Sequence, residues 1–465
     1  MGVCGTGMGA FAGLLKQAGH RVTGSDGAFY PPMGDALKRW GIDCRPGYSP
    51  ENLEPRPDLV VVGNVCRPDN PEARAAIDKG LEYTSFPGAL SRMFLQQRVP
   101  FVVTGTHGKT TTSAMLAFLL DRTGKAPGFL VGGIAGDFTE SFRAGAEGGP
   151  FVVEGDEYDS AFFEKSPKFW QYRPQIACIH AIEHDHIDIY PDMGSYRDAF
   201  ARFVELIPPD GLLAINAADA EVRSVAARAR CRVLGFALAG EDTGEATPAL
   251  IARLGEPDEG GQPFELVEDG EVHARTRCPL SGGHNVKNAL AALAMAAHGA
   301  GVPLASLAEA LPAFAGVRRR QELRGTAGGV RVYDDFAHHP TAVAETLPSL
   351  RARHPGGRLI AIFEPRSATA SRNLHQGRYA EAFAAADLAL LAPVGRPGIP
   401  AAEKLDVGAI AAAIRAAGGS AETPPDVEAI VARVVEYARA GDTVVVMSNG
   451  AFDAIHDKLL EDLPR

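Results

Sequence analysis

Pro100-Phe101-Val102-Val103-Thr104-Gly105-Thr106-His107-Gly108-Lys109-Thr110-Thr111-Thr112 decides how this chain reads. A short apolar run ends in a glycine turn, a lysine and hydroxyls follow, and then comes the apolar helical stretch Ala114–Leu120. That order builds a phosphate cradle. Glycines let backbone N–H groups approach phosphate oxygens with no Cβ in the way. The helix start behind them adds the positive end of a dipole. Lys109 is spaced to reach terminal phosphates, and Thr110 to hold a magnesium ion bridging them. The spacing Gly-x-x-Gly-Lys-Thr is two residues shorter than the common P-loop, so this is a variant of it. The alternative is a tight strand–helix turn with chance lysine and threonines; a strand before and a helix after favour the cradle. The expected ligand is ATP, bound by Gly105, Thr106, His107, Gly108, Lys109, Thr110 and Thr111.

Around this centre the 465 residues suggest about three domains of ordinary size. Apolar content of 46% and charged content of 22% fit a globular enzyme with an ample core. A formal charge of −11 argues against a nucleic-acid partner. The six cysteines, Cys4, Cys44, Cys66, Cys178, Cys231 and Cys278, show no metal-ligand or redox spacing, as for a reducing compartment. No stretch is apolar and long enough for a membrane span, and no basic segment leads an apolar run as in a signal peptide. The expected location is the cytoplasm.

Before the cradle, to residue 98, apolar runs alternate with helical patterns. Gly5-Thr6-Gly7-Met8-Gly9 opens the helical pattern Ala10–Ala18, and Val22-Thr23-Gly24-Ser25-Asp26 ends in an acid. Strands interleaved with helices predict a parallel, doubly wound sheet. Gly5, Gly7 and Gly9 read as a nucleotide-diphosphate turn with Asp26 near a sugar hydroxyl or base, or as a Rossmann-like turn without ligand. The first apolar residues lead straight into that turn. The strand that ordinarily precedes it is therefore expected to be nearly absent, through clipping or a late start.

After the cradle, residues 99–317 carry two strand ends rich in acids: Phe151-Val152-Val153 into Glu154-Gly155-Asp156-Glu157, and Ile176–Ile182 into Glu183-His184-Asp185-His186-Ile187-Asp188. Acids at strand ends beside a P-loop are where a magnesium ligand belongs. Gly240–Gly270 reads as loops and small antiparallel strands. Residues 318–465 form a second parallel α/β unit, with strands over Gly329–Asp335, Arg358–Phe363 and Thr443–Met447 and the alanine-rich helix Val407–Ala417.

Taken in order, the cradle, Glu154-Gly155-Asp156-Glu157, Asp185-His186-Ile187-Asp188, Ser281-Gly282-Gly283-His284-Asn285-Val286-Lys287-Asn288-Ala289, Arg319-Arg320-Gln321-Glu322 and Asp335-Phe336-Ala337-His338-His339-Pro340 resemble the Mur ligase family. These are ATP-dependent amide-forming enzymes of peptidoglycan synthesis. The resemblance covers essentially the whole chain. It implies three domains: a UDP-sugar-binding Rossmann-like domain (1–98), a central P-loop ATPase domain (99–317) and a Rossmann-like domain contacting ATP and peptide (318–465). Within the family, Tyr30-Pro31-Pro32-Met33, Asn70-Pro71, Phe363-Glu364-Pro365-Arg366-Ser367-Ala368-Thr369 and Val446-Met447-Ser448-Asn449-Gly450-Ala451-Phe452 are most similar to the branch that recycles cell-wall tripeptide. The implied substrates are UDP-N-acetylmuramate, L-alanyl-γ-D-glutamyl-meso-diaminopimelate and ATP, with Mg2+ as cofactor. A monomer or weak dimer is expected.

The resemblance also implies roles. Lys109, His186, Arg320 and His338 would be catalytic. Thr110, Glu154 and His186 would hold magnesium, although histidine is unusual on so hard a cation, and His186 taken alone reads better as a strand-end partner of Asp185 or Asp188. His284, Asn285, Asn288, Arg320 and Asp335 would contact ATP; without the resemblance the first three read as a polar helix start and Arg320 as part of a charged linker. Gly5, Gly7, Gly9, Asp26, Asn64 and Asn70 would line the UDP-sugar site. Arg366, Ser448 and Asn449 would meet the peptide, a guanidinium fork suiting carboxylates. Two positions depart from the family pattern: His180-Ala181 stands where relatives carry Thr-Asn or Asn-Asn, and Phe200 stands where some carry a carbamylated lysine. The runner-up activity is addition of L-alanine to the same sugar. A P-loop regulatory protein or mechanical ATPase is the reading from a different class.

Overall fold

The computed structural model describes residues 1–133 and 135–463. Ten strands form the central sheet. Its order is Glu271–Cys278, Gln262–Glu268, Leu250–Leu254, Arg232–Leu238, Leu212–Asn216, Ile176–Ile179, Val99–Thr104, Pro150–Gly155, Gly128–Leu130, Phe142–Arg143. The middle strands are parallel and read as continuous apolar runs, as strands covered on both faces must. The cradle strand lies between Ile176–Ile179 and Pro150–Gly155, with Val103 opposite Glu154 and Thr104 opposite both Gly155 and Ile179. This register brings the carboxyl ends of three neighbouring strands, and the segments that follow them, to one edge. Within Gly240–Gly270, expected as loops and small antiparallel strands, Leu250–Leu254 joins this sheet in parallel and Gln262–Glu268 extends it antiparallel, followed by Glu271–Cys278.

The last block is a six-stranded sheet in the order Glu322–Ala327, Val330–Asp335, Thr443–Met447, Leu359–Phe363, Leu388–Leu391, Ala421–Glu422, parallel except for its first strand. Separate apolar cores cover its two faces, one around Leu347, Phe363 and Tyr379, the other around Ile360, Val434 and Leu459.

The first block holds two parallel pairs, Thr23–Asp26 with Asp43–Pro46 and Val60–Val62 with Tyr83–Ser85. Met1–Val3 fills the slot between them without forming a regular strand. The Gly2 and Val3 amides donate to Ser25 O at 2.8 and 3.2 Å. On the other side the Met1 ammonium donates to Val61 O at 2.8 Å, and the Gly63 amide donates to Met1 O at 3.1 Å. The missing strand of the sequence reading is thus replaced by three residues that stitch the two pairs together. The helix Thr6–Gln17 buries Phe11 and Leu14 in one cluster with Phe142, Phe151 and Phe169 of the central block. Gly13 permits that approach: a Cβ there would lie 2.4 Å from the Phe142 ring.

Candidate functional site

The glycine turn at the end of Val99–Thr104 is shaped by two left-handed residues, Gly105 (φ +128°) and Gly108 (φ +81°), the second capping the helix Lys109–Arg122. Both are also pressed by neighbours: a Cβ on Gly105 would meet the Ala181 backbone at 3.0 Å, and one on Gly108 would meet Asn288 Oδ1 at 2.5 Å. The Thr106 amide donates to Ala181 O at 2.8 Å, and its hydroxyl donates to Glu183 O at 3.0 Å. The loop is therefore moulded against the segment that follows Ile176–Ile179. Thr111 is buried in the first turn of the helix.

Lys109 is the cation of this loop, its side chain 15% exposed. Its ammonium donates to Gly105 O at 2.7 Å and to both oxygens of Glu157 at 2.9 Å. Burial alone would discharge both groups, but each holds the other charged. Desolvation is the largest single influence on the Glu157 carboxyl and raises it, but Lys109 and His186 together prevail and lower it to about 2; the Lys109 ammonium, against its own desolvation, is pushed up by Glu157 and Asp156. Glu157 is a hub. It also accepts from the Tyr196 hydroxyl at 3.0 Å and stands 3.7 Å from His186 Nε2. The sequence reading quoted Glu157 within a motif and gave it no role. The signal was there in chemical form, since a lysine largely withdrawn from water demands a counter-ion.

Glu154, one strand over, is half-buried, with its Oε1 atom buried. Its Oε2 accepts from the Gly132 amide at 2.6 Å, while Oε1 has no hydrogen-bond partner. Burial and nearby Asp156 push its carboxyl up, against the pull of Thr110 and Lys109. A buried, orphaned carboxylate oxygen beside a threonine hydroxyl is the hard-oxygen donor set that magnesium takes, so Thr110 and Glu154 fit the ion. His186 sits in the left-handed region (φ +53°), with Nε2 3.8 Å from Asp185 Oδ2. Desolvation lowers its imidazole, yet Glu157 and Asp185 prevail and raise it.

Arg320 enters from the linker ahead of the last block. Its Nη2 lies 3.4 Å from Thr110 Oγ1, and its guanidinium covers the Phe336 ring at 4.8 Å. It is half-buried, and desolvation lowers its pKa against the pull of Asp335 and Glu154. Asp335 is close to Arg320 and His284, but its oxygens are engaged: Gln321 N donates to Oδ2 and Ala337 N to Oδ1, each at 2.8 Å. His338 Nδ1 is 3.0 Å from Phe336 O. A carbonyl only accepts, so Nδ1 carries the proton and Nε2 keeps its lone pair. Asn285 donates to Ser281 O and accepts from Asn288, so the two amides order each other beneath Gly108. His284 stands at the start of the helix Gly283–Ala294.

The departure at His180 has a structural role. His180 is buried, its Nε2 is 2.7 Å from Thr112 Oγ1, and burial lowers its pKa to about 3, so it props the cradle as a neutral ring. Phe200 lies wholly inside the core against Phe169 and Tyr196.

The expected sugar-site residues are less converged. Gly5 and Gly7 are exposed at the start of the helix Thr6–Gln17, and a Cβ on Gly9 would meet Met33 Sδ at 2.3 Å. Asp26 accepts from the Cys4 amide at 2.7 Å and the Tyr48 hydroxyl at 3.3 Å, which ties the glycine turn down. Asn64 is exposed. Asn70 is buried and caps the helix Pro71–Asp78, its Oδ1 accepting from Glu72 and Ala73.

In the last block Ser448 donates to Glu364, whose other oxygen is 3.7 Å from Arg366. Asn449 Oδ1 is buried and unpartnered. Glu364 and Arg366 open into a cavity of about 380 Å³ that Asp426, Glu428 and Phe452 also line. All six cysteines are free thiols. Among the described residues no helix is long and apolar enough to cross a membrane.

Three family descriptions match the chain in succession: the catalytic domain of the Mur ligase family over residues 1–98, the Mur ligase middle domain over 103–296, and the glutamate ligase domain of Mur ligases over 319–450. The UDP-N-acetylmuramate–L-alanyl-γ-D-glutamyl-meso-2,6-diaminoheptandioate ligase of Escherichia coli K12 is 39% identical, across 100% of this chain and 98% of the relative. The UDP-N-acetylmuramate–L-alanine ligase of Kineococcus radiotolerans is 33% identical, across 99% and 94%. The crystal structure of a murein peptide ligase from Psychrobacter arcticus superposes with a TM-score of 0.72 at 36% identity, covering 99% and 97%.

Proposed function

The chain belongs to the Mur ligase family, and from that we propose that it is the ATP-dependent amide ligase joining UDP-N-acetylmuramate to L-alanyl-γ-D-glutamyl-meso-diaminopimelate in peptidoglycan recycling. The observation that carries the chemistry is convergence. Arg320, from outside the cradle, lies 3.4 Å from Thr110, the neighbour of Lys109, whose ammonium Glu157 holds in place, so two cations flank the loop where phosphates would lie. The choice of amine rests on the full-length likeness to a ligase of that tripeptide at 39% identity, against 33% for an L-alanine ligase.

The reaction suits such a site. A carboxylate is a poor electrophile, so the muramate carboxylate first takes the γ-phosphoryl group of ATP, giving an acyl phosphate and ADP. The peptide's free amine then attacks the acyl carbon, and the tetrahedral intermediate expels phosphate and loses a proton to leave the amide. Negative charge spreads at every step, so preoriented cations and dipoles supply most of the rate. The Gly105–Thr110 amides and helix dipole would hold the phosphates, Lys109 would face the β- and γ-phosphates, and Arg320 the γ-phosphate. Magnesium, when bound, would neutralise the bridging phosphate oxygens; Thr110 and Glu154, with His186, would hold it. His284, Asn285, Asn288 and Asp335 would surround the nucleotide, with His338 on the phosphate side. Gly5, Gly7, Gly9, Asp26, Asn64 and Asn70 would take the UDP-sugar, and Arg366, Ser448 and Asn449 the peptide. The three domains would be 1–98, 99–317 and 318–465, acting as a monomer or weak dimer in the cytoplasm, where six free thiols persist.

Phosphate release with UDP-N-acetylmuramate and ATP, with either the tripeptide or L-alanine added and the product weighed by mass spectrometry, tests this reading. Tripeptide-dependent release with the matching product supports it. Release with L-alanine alone makes the chain the biosynthetic ligase, and brisk hydrolysis without muramate makes it a regulatory ATPase.

A further inference from the structure

A group of metal-ligand side chains that shares no residue with Thr110 and Glu154 lies where the central and last blocks meet. His107 projects from the loop itself, Glu183 follows the neighbouring strand, and His339 caps the helix Pro340–Arg353. His107 Nε2 is 3.5 Å from Glu183 Oε1, and His339 Nδ1 is 3.8 Å from Glu183 Oε2. One ligand atom from each residue lies within 4.8 Å of the other two. His107 Nε2 is buried and has no hydrogen-bond partner. From this geometry we propose that His107, Glu183 and His339 form a binding site for one zinc-class divalent cation, separate from the Thr110–Glu154 position, which clasps the cradle loop to the last block.

The donor set selects the ion. Two imidazoles and one carboxylate, with a fourth position open, make a three-ligand zinc set. Magnesium prefers oxygen ligands and would gain little from two ring nitrogens. Ligands about 2.0–2.1 Å from a tetrahedral zinc stand roughly 3.3 Å from one another. The observed separations therefore need only side-chain contraction.

The surroundings orient these ligands. His339 Nε2 is 3.2 Å from His375 Nε2, so a proton on His339 Nε2 can be donated to His375 and leave the Nδ1 lone pair for the ion. That lone pair now accepts the capping bond from the Thr341 amide at 3.3 Å, which the ion would replace. Arg378 and the Thr341 hydroxyl both donate to Glu183 Oε2, at 3.2 and 2.8 Å, which steers Oε1 toward His107. Arg378 is about half-exposed and its charge is screened by water, so it fixes the carboxylate without closing the site to a cation.

Equilibrium dialysis of the full chain against zinc, in a large excess of magnesium, tests the site. One zinc per chain is expected. His339→Ala and Glu183→Gln should each weaken it by at least about 10-fold, while His186→Ala retains it. Circular dichroism confirms that each variant is folded. Cobalt in place of zinc should give the visible bands of a tetrahedral nitrogen–oxygen site and no thiolate charge-transfer band. Zinc retained unchanged by folded His339→Ala, a thiolate band, or no zinc bound to the parent chain overturns the proposal.

Discussion

The two glycine turns of this molecule carry similar local signals and are built differently. The central turn ends a six-residue strand flanked on both sides by parallel strands, and half-buried Lys109 and Arg320 stand beside it. The amino-terminal turn follows only Met1–Val3, which join two small sheets, and the nearest carboxylate, Asp26, already holds the Cys4 amide. Glycines before a helix make a place where phosphate can come close. Cations with braced counter-ions make a place where phosphate can react. The difference predicts that chemistry is concentrated at the central turn and that the amino-terminal turn serves recognition.

The sharpest way to break that contrast is Lys109→Ala. It should lower tripeptide-dependent phosphate release by about 10²–10³-fold and leave UDP-sugar affinity, read by calorimetry, nearly unchanged. Asp26→Ala should do the reverse, weakening UDP-sugar binding more than it slows turnover at saturating sugar. Equal losses of turnover in the two variants would remove the distinction.

Next in size is the brace. Glu157→Gln leaves Lys109 without its partner and should cost about 3 kcal/mol of stability in urea titrations. The sign of its pH dependence is fixed. Glu157 is lowered to about 2, so its contribution is full above the unfolded carboxyl near pH 4.3 and fades as pH falls toward 2. Lys109 is raised, so its contribution is full below its unfolded value near pH 10.4 and fades above it. His186, raised by Glu157 against its own desolvation, adds a share that is full below its unfolded value near pH 6.5 and fades as pH rises through its raised value. The deficit of the variant should therefore be largest between about pH 4.3 and 6.5 and should shrink on the acid side. A deficit that grows on acidification below about pH 4.3 would contradict the pairing.

Smaller effects belong to the seam and to the amino-terminal block. Gly13→Val drives a side chain into the Phe142 ring and should cost about 1–3 kcal/mol, seen as a lower Tm. Asn70→Ala removes the cap of Pro71–Asp78 and should cost about 1 kcal/mol, with turnover at saturating substrates kept. A large loss of sugar affinity in that variant would show that Asn70 does more than cap.

The comparison also explains what could be read in advance. The cradle was legible because its strand, glycines, lysine and helix are contiguous, and the acids at neighbouring strand ends because parallel sheets place them predictably. The partner of Lys109 is 48 residues away, and the prop at His180 is 68 residues from Thr112. Only the register of the sheet brings them together. His107 and His339 come from different blocks, and no local pattern announces their meeting. At the amino terminus the sequence reading foresaw a nearly absent strand. It did not foresee that Met1–Val3 would use its backbone groups in both directions, because hydrogen bonding across a sheet leaves no mark on side-chain pattern.

The most direct test of the central claim follows the phosphoryl group. UDP-N-acetylmuramate carrying heavy oxygen in its carboxylate is turned over with ATP and the tripeptide, and the released phosphate is weighed. The account predicts that one heavy oxygen passes into phosphate for each amide formed, because the carboxylate takes the γ-phosphoryl group before the amine arrives. Phosphate released without heavy oxygen would contradict it and make the cradle a hydrolytic site uncoupled from ligation.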